Sequence, residues 1–343
     1  MKRQFFALAA LTAAAGAMAQ SSSVTLFGVA DVSVGHVSTA GKSVSGLASG
    51  GSASSRLGFR GEEDLGAGLK AGFWLEGGLD PDDGNAAGFG FDRRSTLSLS
   101  GGFGELRLGR DKTPTFLNME HFHPFADAGL GAVNGHNLID DAAAGTPDGS
   151  NPKRVSNSVS YLLPKMDGLY GQLTHSFGEQ ADDSRLSSST AVRLGYAAGA
   201  LDVGAAYGSV RGGTAAAGVN YRNFNLGASY KLGAFTPMLL VASERGDGSR
   251  VDLYSVGLKL ALGQGELRAA YSMFEDKNRS DADSQRLALG YGYQLSKRTE
   301  IYTTVAHMRN DGLATRTLDS SLSPTPNAGR KVTGYEIGLR HNF

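Results

Sequence analysis

The chain ends on Tyr335-Glu-Ile-Gly-Leu-Arg-His-Asn-Phe343, with apolar or aromatic residues at 335, 337, 339 and 343 and charged or polar ones at 336, 340 and 342. Successive side chains of a strand point to opposite faces, so this period of two is one strand with a greasy and a wet face. The same pattern recurs along the chain. Leu69, Ala71, Phe73 and Leu75 oppose Lys70, Trp74 and Glu76; Leu267, Ala269, Tyr271 and Met273 oppose Glu266 and Arg268; Ile301, Thr303 and Val305 oppose Glu300. In run after run the mid-strand charges share one parity. A Lys or Arg on a lipid-facing position costs roughly 2–4 kcal/mol at the bilayer midplane, and that penalty selects this segregation. His175 breaks the rule, sharing parity with Leu173 and Phe177.

A soluble β-sandwich also alternates, but two features favour a membrane barrel. Very short polar turns join the strands on one side (Asp64–Gly68, Gly101–Gly104, Pro164–Gly168, Leu262–Gly265, Ser296–Thr299), and long loops are expected on the other. The apolar face is also rich in Gly and Ala rather than in bulky core residues. Runs starting near Val24, Ser54, Leu69, Arg93, Glu105, Arg154, Leu169, Thr190, Leu201, Phe224, Phe235, Val251, Glu266, Ser284, Glu300 and Lys331 predict sixteen strands, with the register of Arg211–Arg222 ambiguous. Sixteen antiparallel strands close around an open aqueous lumen. The expected class is therefore all-β, a sixteen-stranded antiparallel transmembrane β-barrel with short periplasmic turns and long external loops.

Composition agrees. Lys2 and Arg3, the apolar run Phe5–Ala17 and Ala17-Met18-Ala19 read as a secretory signal over residues 1–19, leaving one barrel domain over 20–343 in the bacterial outer membrane. No stretch reaches roughly 18 apolar residues, and the mean hydropathy of −0.20 suits a barrel that hides its apolar residues at alternate positions. There are no cysteines, which excludes disulfides and thiolate sites. Without Lys2 and Arg3 the net charge is −2, and nothing in the bulk charge calls for nucleic acid. Glycine, 49 of 343 residues, is twice the usual share and fits strands packed in a tight wall.

Several stretches resemble one family, the Gram-negative general porins and in particular their β-proteobacterial branch. They are Ser22-Ser-Val-Thr-Leu-Phe-Gly-Val-Ala-Asp31, Ser55-Arg-Leu-Gly-Phe-Arg-Gly-Glu-Glu-Asp-Leu-Gly66, Gly102-Phe-Gly-Glu-Leu-Arg-Leu-Gly-Arg110, Arg154-Val-Ser-Asn-Ser-Val-Ser-Tyr161 and the terminal phenylalanine. The resemblance spans the mature length. It implies a homotrimer, a lipid bilayer and lipopolysaccharide as surroundings, and the barrel-assembly machinery during insertion, with Phe343 as the insertion signal. It also implies passive diffusion of small hydrophilic solutes and a third external loop that folds inward to narrow the lumen.

The stretch Lys112–Lys153 shows no clean alternation, and a loop of such length in a compact fold is usually functional. It carries Glu120, Asp127, Asp140, Asp141 and Asp148. Parity places Arg56, Arg60, Arg94, Arg107 and Arg154 in the lumen, and Arg56, Arg94 and Arg154 match the family's constriction arginines by local motif. Arginine stays charged at any working pH, and rings of Arg or Lys favour anions. The expected constriction sets these arginines against loop acids, Glu120 and Asp127 foremost, on the facing wall, with a modest anion preference. The bland alternative is that each arginine is merely solvated or paired with Glu62, Glu76 or Glu105.

Other motifs carry less. His121-Phe-His123 lacks a third metal ligand, and no metal site is expected. Asp80-Pro-Asp-Asp-Gly-Asn85 admits a surface-bound calcium but lacks the spacing of a twelve-residue calcium loop, and no cofactor is expected. Arg245-Gly-Asp247 reads as an external turn. An outer-membrane hydrolase is the competing class, but no histidine sits beside a nucleophile by motif. A sugar-specific channel would want an aromatic slide, and the chain has one Trp.

Overall fold

The computed structural model describes residues 23–84, 89–133, 138–139, 152–179, 181, 185–213 and 218–343. The expected signal segment lies outside them, as do Asn85, Asp140, Asp141 and Asp148. The strands are β1 (Ser23–Thr39), β2 (Lys42–Ser49), β3 (Arg56–Gly66), β4 (Leu69–Gly78), β5 (Arg94–Gly101), β6 (Gly104–Lys112), β7 (Arg154–Leu162), β8 (Leu169–Ser176) and β9 (Ser189–Ala198). Then follow β10 (Leu201–Gly213), β11 (Gly218–Tyr230), β12 (Phe235–Gly246), β13 (Ser249–Leu262), β14 (Gly265–Asp276), β15 (Ser284–Gln294), β16 (Thr299–Asn310) and β17 (Val332–Asn342). A short helix, α1 (Pro114–His121), follows β6.

Every neighbour pairs antiparallel, and β1 closes on β17 from Val29↔Asn342 to Thr39↔Val332. Closure leaves no sheet edge with unpaired backbone groups, which hydrocarbon would not tolerate. The last residue takes part: Gly28 N–H donates to the Phe343 carbonyl at 3.0 Å, and Phe343 N–H returns to Gly28 O at 3.1 Å. A Cβ on Gly28 would lie 2.3 Å from the Phe343 ring, so glycine there is what lets the aromatic terminus lie down on β1.

Sixteen staves result, as expected, but the second is divided. β1 pairs with β2 along its upper half (Val32↔Ser49 to Thr39↔Lys42) and with β3 along its lower half (Ser23↔Glu62 to Val29↔Arg56). The stretch expected to be loop before Ser54 is thus largely strand. Its Ser and Gly content hid the alternation. The described residues of the ambiguous segment are regular: Arg211↔Asn220 and Ser209↔Arg222 continue the β10–β11 ladder. All five short turns stand where expected. The opposite rim is less uniform, because β12 and β13 are joined by Asp247-Gly248 alone, both with positive φ (50° and 71°), the backbone a two-residue hairpin demands.

The burial pattern is inverted relative to a soluble protein. Leu97 is 67% exposed and Leu287 58%, while Asn225 and Glu300 are 0% and 1%. His175 does face outward; its Nδ1 lies 2.8 Å from the Thr190 hydroxyl, a hydrogen bond across the strands. The lumen is partly filled. Loop residues Phe122, Phe125, Leu130, Val133, Leu318 and Leu322 pack with inward Leu240, Leu253, Phe274 and Met308 into a buried apolar cluster. The third loop therefore folds inward, and the residual opening is pushed towards β3–β7.

Candidate functional site: the lumen constriction

The loop is anchored first by its helix. Thr113 caps α1, its hydroxyl accepting from Phe116 N–H at 3.3 Å, and Pro114 supplies the fixed φ of a first helical residue. Asn118, fully buried on α1, donates to Gly204 O (3.0 Å) on β10 and to Asn225 Oδ1 (2.7 Å) on β11, and it accepts from Arg193 Nε (3.0 Å) on β9. The wall makes room for this docking through inward-facing glycines. A Cβ on Gly227 would meet the Phe122 ring at 2.1 Å, one on Gly257 would meet Pro124 at 2.4 Å, and one on Gly290 would meet Phe125 at 2.8 Å. The abundant glycine thus has a specific use: a smooth bed for the loop on the β10–β15 side.

Opposite that bed lies a cavity of about 410 Å³. All five expected arginines line it: Arg56 and Arg60 from β3, Arg94 from β5, Arg107 from β6 and Arg154 from the start of β7. Arg93 and Lys112 join them, and β4 contributes Trp74 and Glu76. From α1 come Leu117 and Glu120. Seven cationic side chains meet three carboxylates (Glu76, Asp111 and Glu120), an excess of four positive charges.

The carboxylates hold the arginines in place more than they neutralise the wall. Glu76 receives Arg93 at 2.7 Å and stands 3.8 Å from Arg56. Asp111 receives Arg107 at 2.6 Å and lies 3.6 Å from Arg94, while Glu105 braces Arg107 from the other side at 2.9 Å. Trp74 serves as a platform: the Arg94 guanidinium lies 4.5 Å and that of Arg60 5.1 Å from its ring centroid, and Arg60 also lies over Phe27 at 5.2 Å. Such stacking keeps a guanidinium charged and ordered while leaving its N–H fork for a solute. Among the described residues Arg154 Nε has no hydrogen-bond partner. The paired alternative, arginines held by Glu76 and Glu105, is therefore present but incomplete.

Among the described residues, the loop acids Glu120 and Asp127 do not form an uncompensated negative wall. Glu120 faces the arginines from α1, but Lys112 Nζ reaches it at 2.6 Å. Burial pushes its carboxyl pKa up, and nearby Asp127 adds to this against the pull of Lys112. Asp127 lies outside the cavity lining, 3.6 Å from Lys153. Burial alone would raise its pKa, but Lys112, Lys153 and Arg93 outweigh that and hold it below the ordinary aspartate value. Sequence reasoning missed Lys112 and Lys153 because both sit at the loop's roots, where alternation has ended. It missed Arg93 because that residue immediately precedes its strand.

The two motif histidines diverge. His121 Nε2 contacts Asp202 Oδ2 at 2.7 Å. His123 is buried with its pKa well below the usual value through desolvation and the charges of Arg286 and Lys259, so the ring is neutral. Among the described residues no group of three His, Asp or Glu side chains is placed to hold a metal. In the acidic loop, Asp82 Oδ1 accepts from the Ser49 hydroxyl at 2.5 Å.

Comparison with known proteins adds to this geometry. Outer membrane porin protein 32 of Delftia acidovorans is 38% identical over 358 residues, covering the whole of both chains. The solved structure of an anion-selective porin from Comamonas acidovorans superposes with a TM-score of 0.86 at 34% identity, covering 94% of this chain and 100% of that one. The trimer form of OmpT, an outer membrane protein of Vibrio cholerae, shares the fold with a TM-score of 0.68 at 16% identity, covering 94% of this chain and 100% of that one. Residues 7–313 match the sequence profile of the Gram-negative porins. A closed sixteen-stave barrel, greasy outside and charged within, with its third loop laid across the lumen, belongs to the Gram-negative porin family of the bacterial outer membrane.

Proposed function

We propose that this porin is a general diffusion pore for small hydrophilic solutes with a modest preference for anions, and that Arg56, Arg60, Arg94, Arg107 and Arg154 set that preference. The observation that carries the reading is the excess of four positive charges around one cavity of about 410 Å³. A cation entering the eyelet meets this surplus directly, whereas an anion is drawn in and released because no single site closes around it. The name of the Comamonas relative, an anion-selective porin, points the same way. With Lys112 and Lys153 beside Glu120 and Asp127, the loop acids temper the field without reversing it.

We further infer a homotrimer in a bilayer whose outer leaflet is lipopolysaccharide, assembled by machinery that reads the strand ending in Phe343. The trimer form solved for the Vibrio protein supports the first point. The test of function is swelling of liposomes that contain the purified porin in graded sugars. Rates falling smoothly with solute size are expected. A sharp optimum for one sugar would replace the general pore with a specific channel, and hydrolysis without swelling would replace it with an enzyme.

A further inference from the structure

On the outer surface of β11–β14, at the extracellular end, cations stand in register. Arg222 on β11 is directly opposite Arg245 on β12, and Arg245 is directly opposite Arg250 on β13. Lys277, just past β14, donates its N–H to Arg250 O at 2.9 Å, which places it next in the row. All four are exposed. They share parity with lipid-facing Phe224 and Leu226 on β11, Leu239 on β12, and Tyr254 and Val256 on β13, all 40–55% exposed. Like charges directly opposite one another on a sheet are destabilising. A row of them on a lipid-facing surface requires a compensating partner.

Part of the row is compensated internally. Arg250 makes two hydrogen bonds to Asp252, at 3.0 and 2.9 Å, and Lys277 contacts Glu275. Asp247 stands above the row, at the tip of the two-residue turn. Among the described residues Arg222 and Arg245 have no ion-pair partner, although they face each other. Their height is informative. From Phe235 to Arg245 along β12 is ten residues, roughly 33 Å of strand, which a tilt of about 40° reduces to about 25 Å, the height of the apolar band of such a barrel. The row therefore sits where hydrocarbon gives way to outer-leaflet headgroups. The β12–β13 turn of only Asp247-Gly248 leaves no overhanging loop to cover it.

We propose that Arg222 and Arg245, flanked by Arg250 and Lys277, form a docking site for the phosphates of an outer-leaflet glycolipid such as the lipid A part of lipopolysaccharide. This deepens the lipopolysaccharide contact inferred above and rests on the outer-membrane placement. Two forked guanidiniums side by side suit the oxygens of a phosphate monoester, while the lipid's acyl chains lie against Phe224, Leu226, Leu239 and Val256 beneath. Lipid held there anchors the barrel at its lowest rim.

The test compares the full-length porin with R222Q/R245Q in detergent micelles. The probes are bisphosphorylated lipid A, the same lipid dephosphorylated, and inorganic phosphate, with binding read by native mass spectrometry. The wild type is expected to prefer the phosphorylated lipid. At about one kcal/mol per basic residue near an anionic surface, R222Q/R245Q should weaken that binding on the order of 30-fold. Its single-channel conductance in phosphatidylcholine bilayers should stay at the wild-type level, because neither residue lines the lumen cavity. Equal binding by the double variant, or equal binding of the dephosphorylated lipid, overturns the site. Displacement of the lipid by millimolar inorganic phosphate overturns the lipid as its occupant. Should the glutamine pair fail to insert, the single variants R222Q and R245Q carry the test: each should weaken binding of the phosphorylated lipid about fivefold, and unchanged binding by both overturns the site. Failure of the pore reading would appear in conductance alone, with lipid binding unchanged.

Discussion

Replacing Arg56, Arg94 and Arg154 together by glutamine reduces the positive excess around the constriction from four charges to one. The consequence follows from Coulomb's law. A unit charge about 10 Å from a solute ion contributes roughly 0.4 kcal/mol in water, and screening at 0.1 M salt leaves about 0.15 kcal/mol. Four such charges favour an anion by about 0.6 kcal/mol and disfavour a cation equally, a difference of about 1.2 kcal/mol or roughly eightfold in permeability. One remaining charge leaves less than twofold on the same basis. With the porin in a planar bilayer under a tenfold KCl gradient of 10 against 100 mM, the reversal potential should fall from about 40 mV of anion sign to about 10 mV. A lower dielectric inside the narrow cavity would enlarge both values but preserve their order. Wild-type cation selectivity, or a reversal potential that does not move in the triple variant, would refute the electrostatic account. Unchanged insertion and unchanged mobility of the folded protein on gels would confirm that the barrel itself is intact.

Asn118→Leu removes the side chain whose hydrogen bonds tie α1 to β9, β10 and β11, leaving Arg193 and Asn225 short of a partner at about 1–3 kcal/mol each. Single-channel records should become noisy, and larger sugars should enter liposomes faster; quiet currents with an unchanged size limit would show that the helix stays docked without Asn118. The raised pKa of Glu120 means that, as pH falls, its charge is lost at a higher pH than that of an ordinary glutamate. Acidification then adds one net positive charge to the eyelet, so anion preference should grow as pH falls, and Glu120→Gln should abolish that part of the pH dependence of the reversal potential. Gly28→Leu drives a side chain into the Phe343 ring and the Arg56 carbonyl, and the heat-modifiable, folded fraction in outer-membrane extracts should drop several-fold. A normal folded fraction would show that the terminal clasp is dispensable.

Much of this molecule was legible because the bilayer enforces one rule on every stave. Charges at alternate positions gave the wall and its sixteen staves, and the lumen parity of Arg56, Arg60, Arg94, Arg107 and Arg154 brought all five to one cavity. Alternation is silent where it stops. Lys112 and Lys153 flank the inward loop, so their pairing with Glu120 and Asp127 could be found only once the loop's path was known. The divided second stave escaped notice because Ser43, Ser45 and Gly46 carry little hydrophobic contrast. Trp74, counted against an aromatic slide, proved to be a platform for two arginines, a relation between β4 and its neighbours β3 and β5 that linear sequence does not display.

The glycines beneath the loop carry a further implication for how such a channel is tuned. Gly227, Gly257 and Gly290 touch no permeating ion, yet each fixes how far the helix and its following turn recede from the arginine face. A methyl group added at any of them would shove the plug across the bore. Calibre can therefore be narrowed from behind, by substitutions that leave the charged lining untouched, and filtering by size can drift independently of filtering by charge.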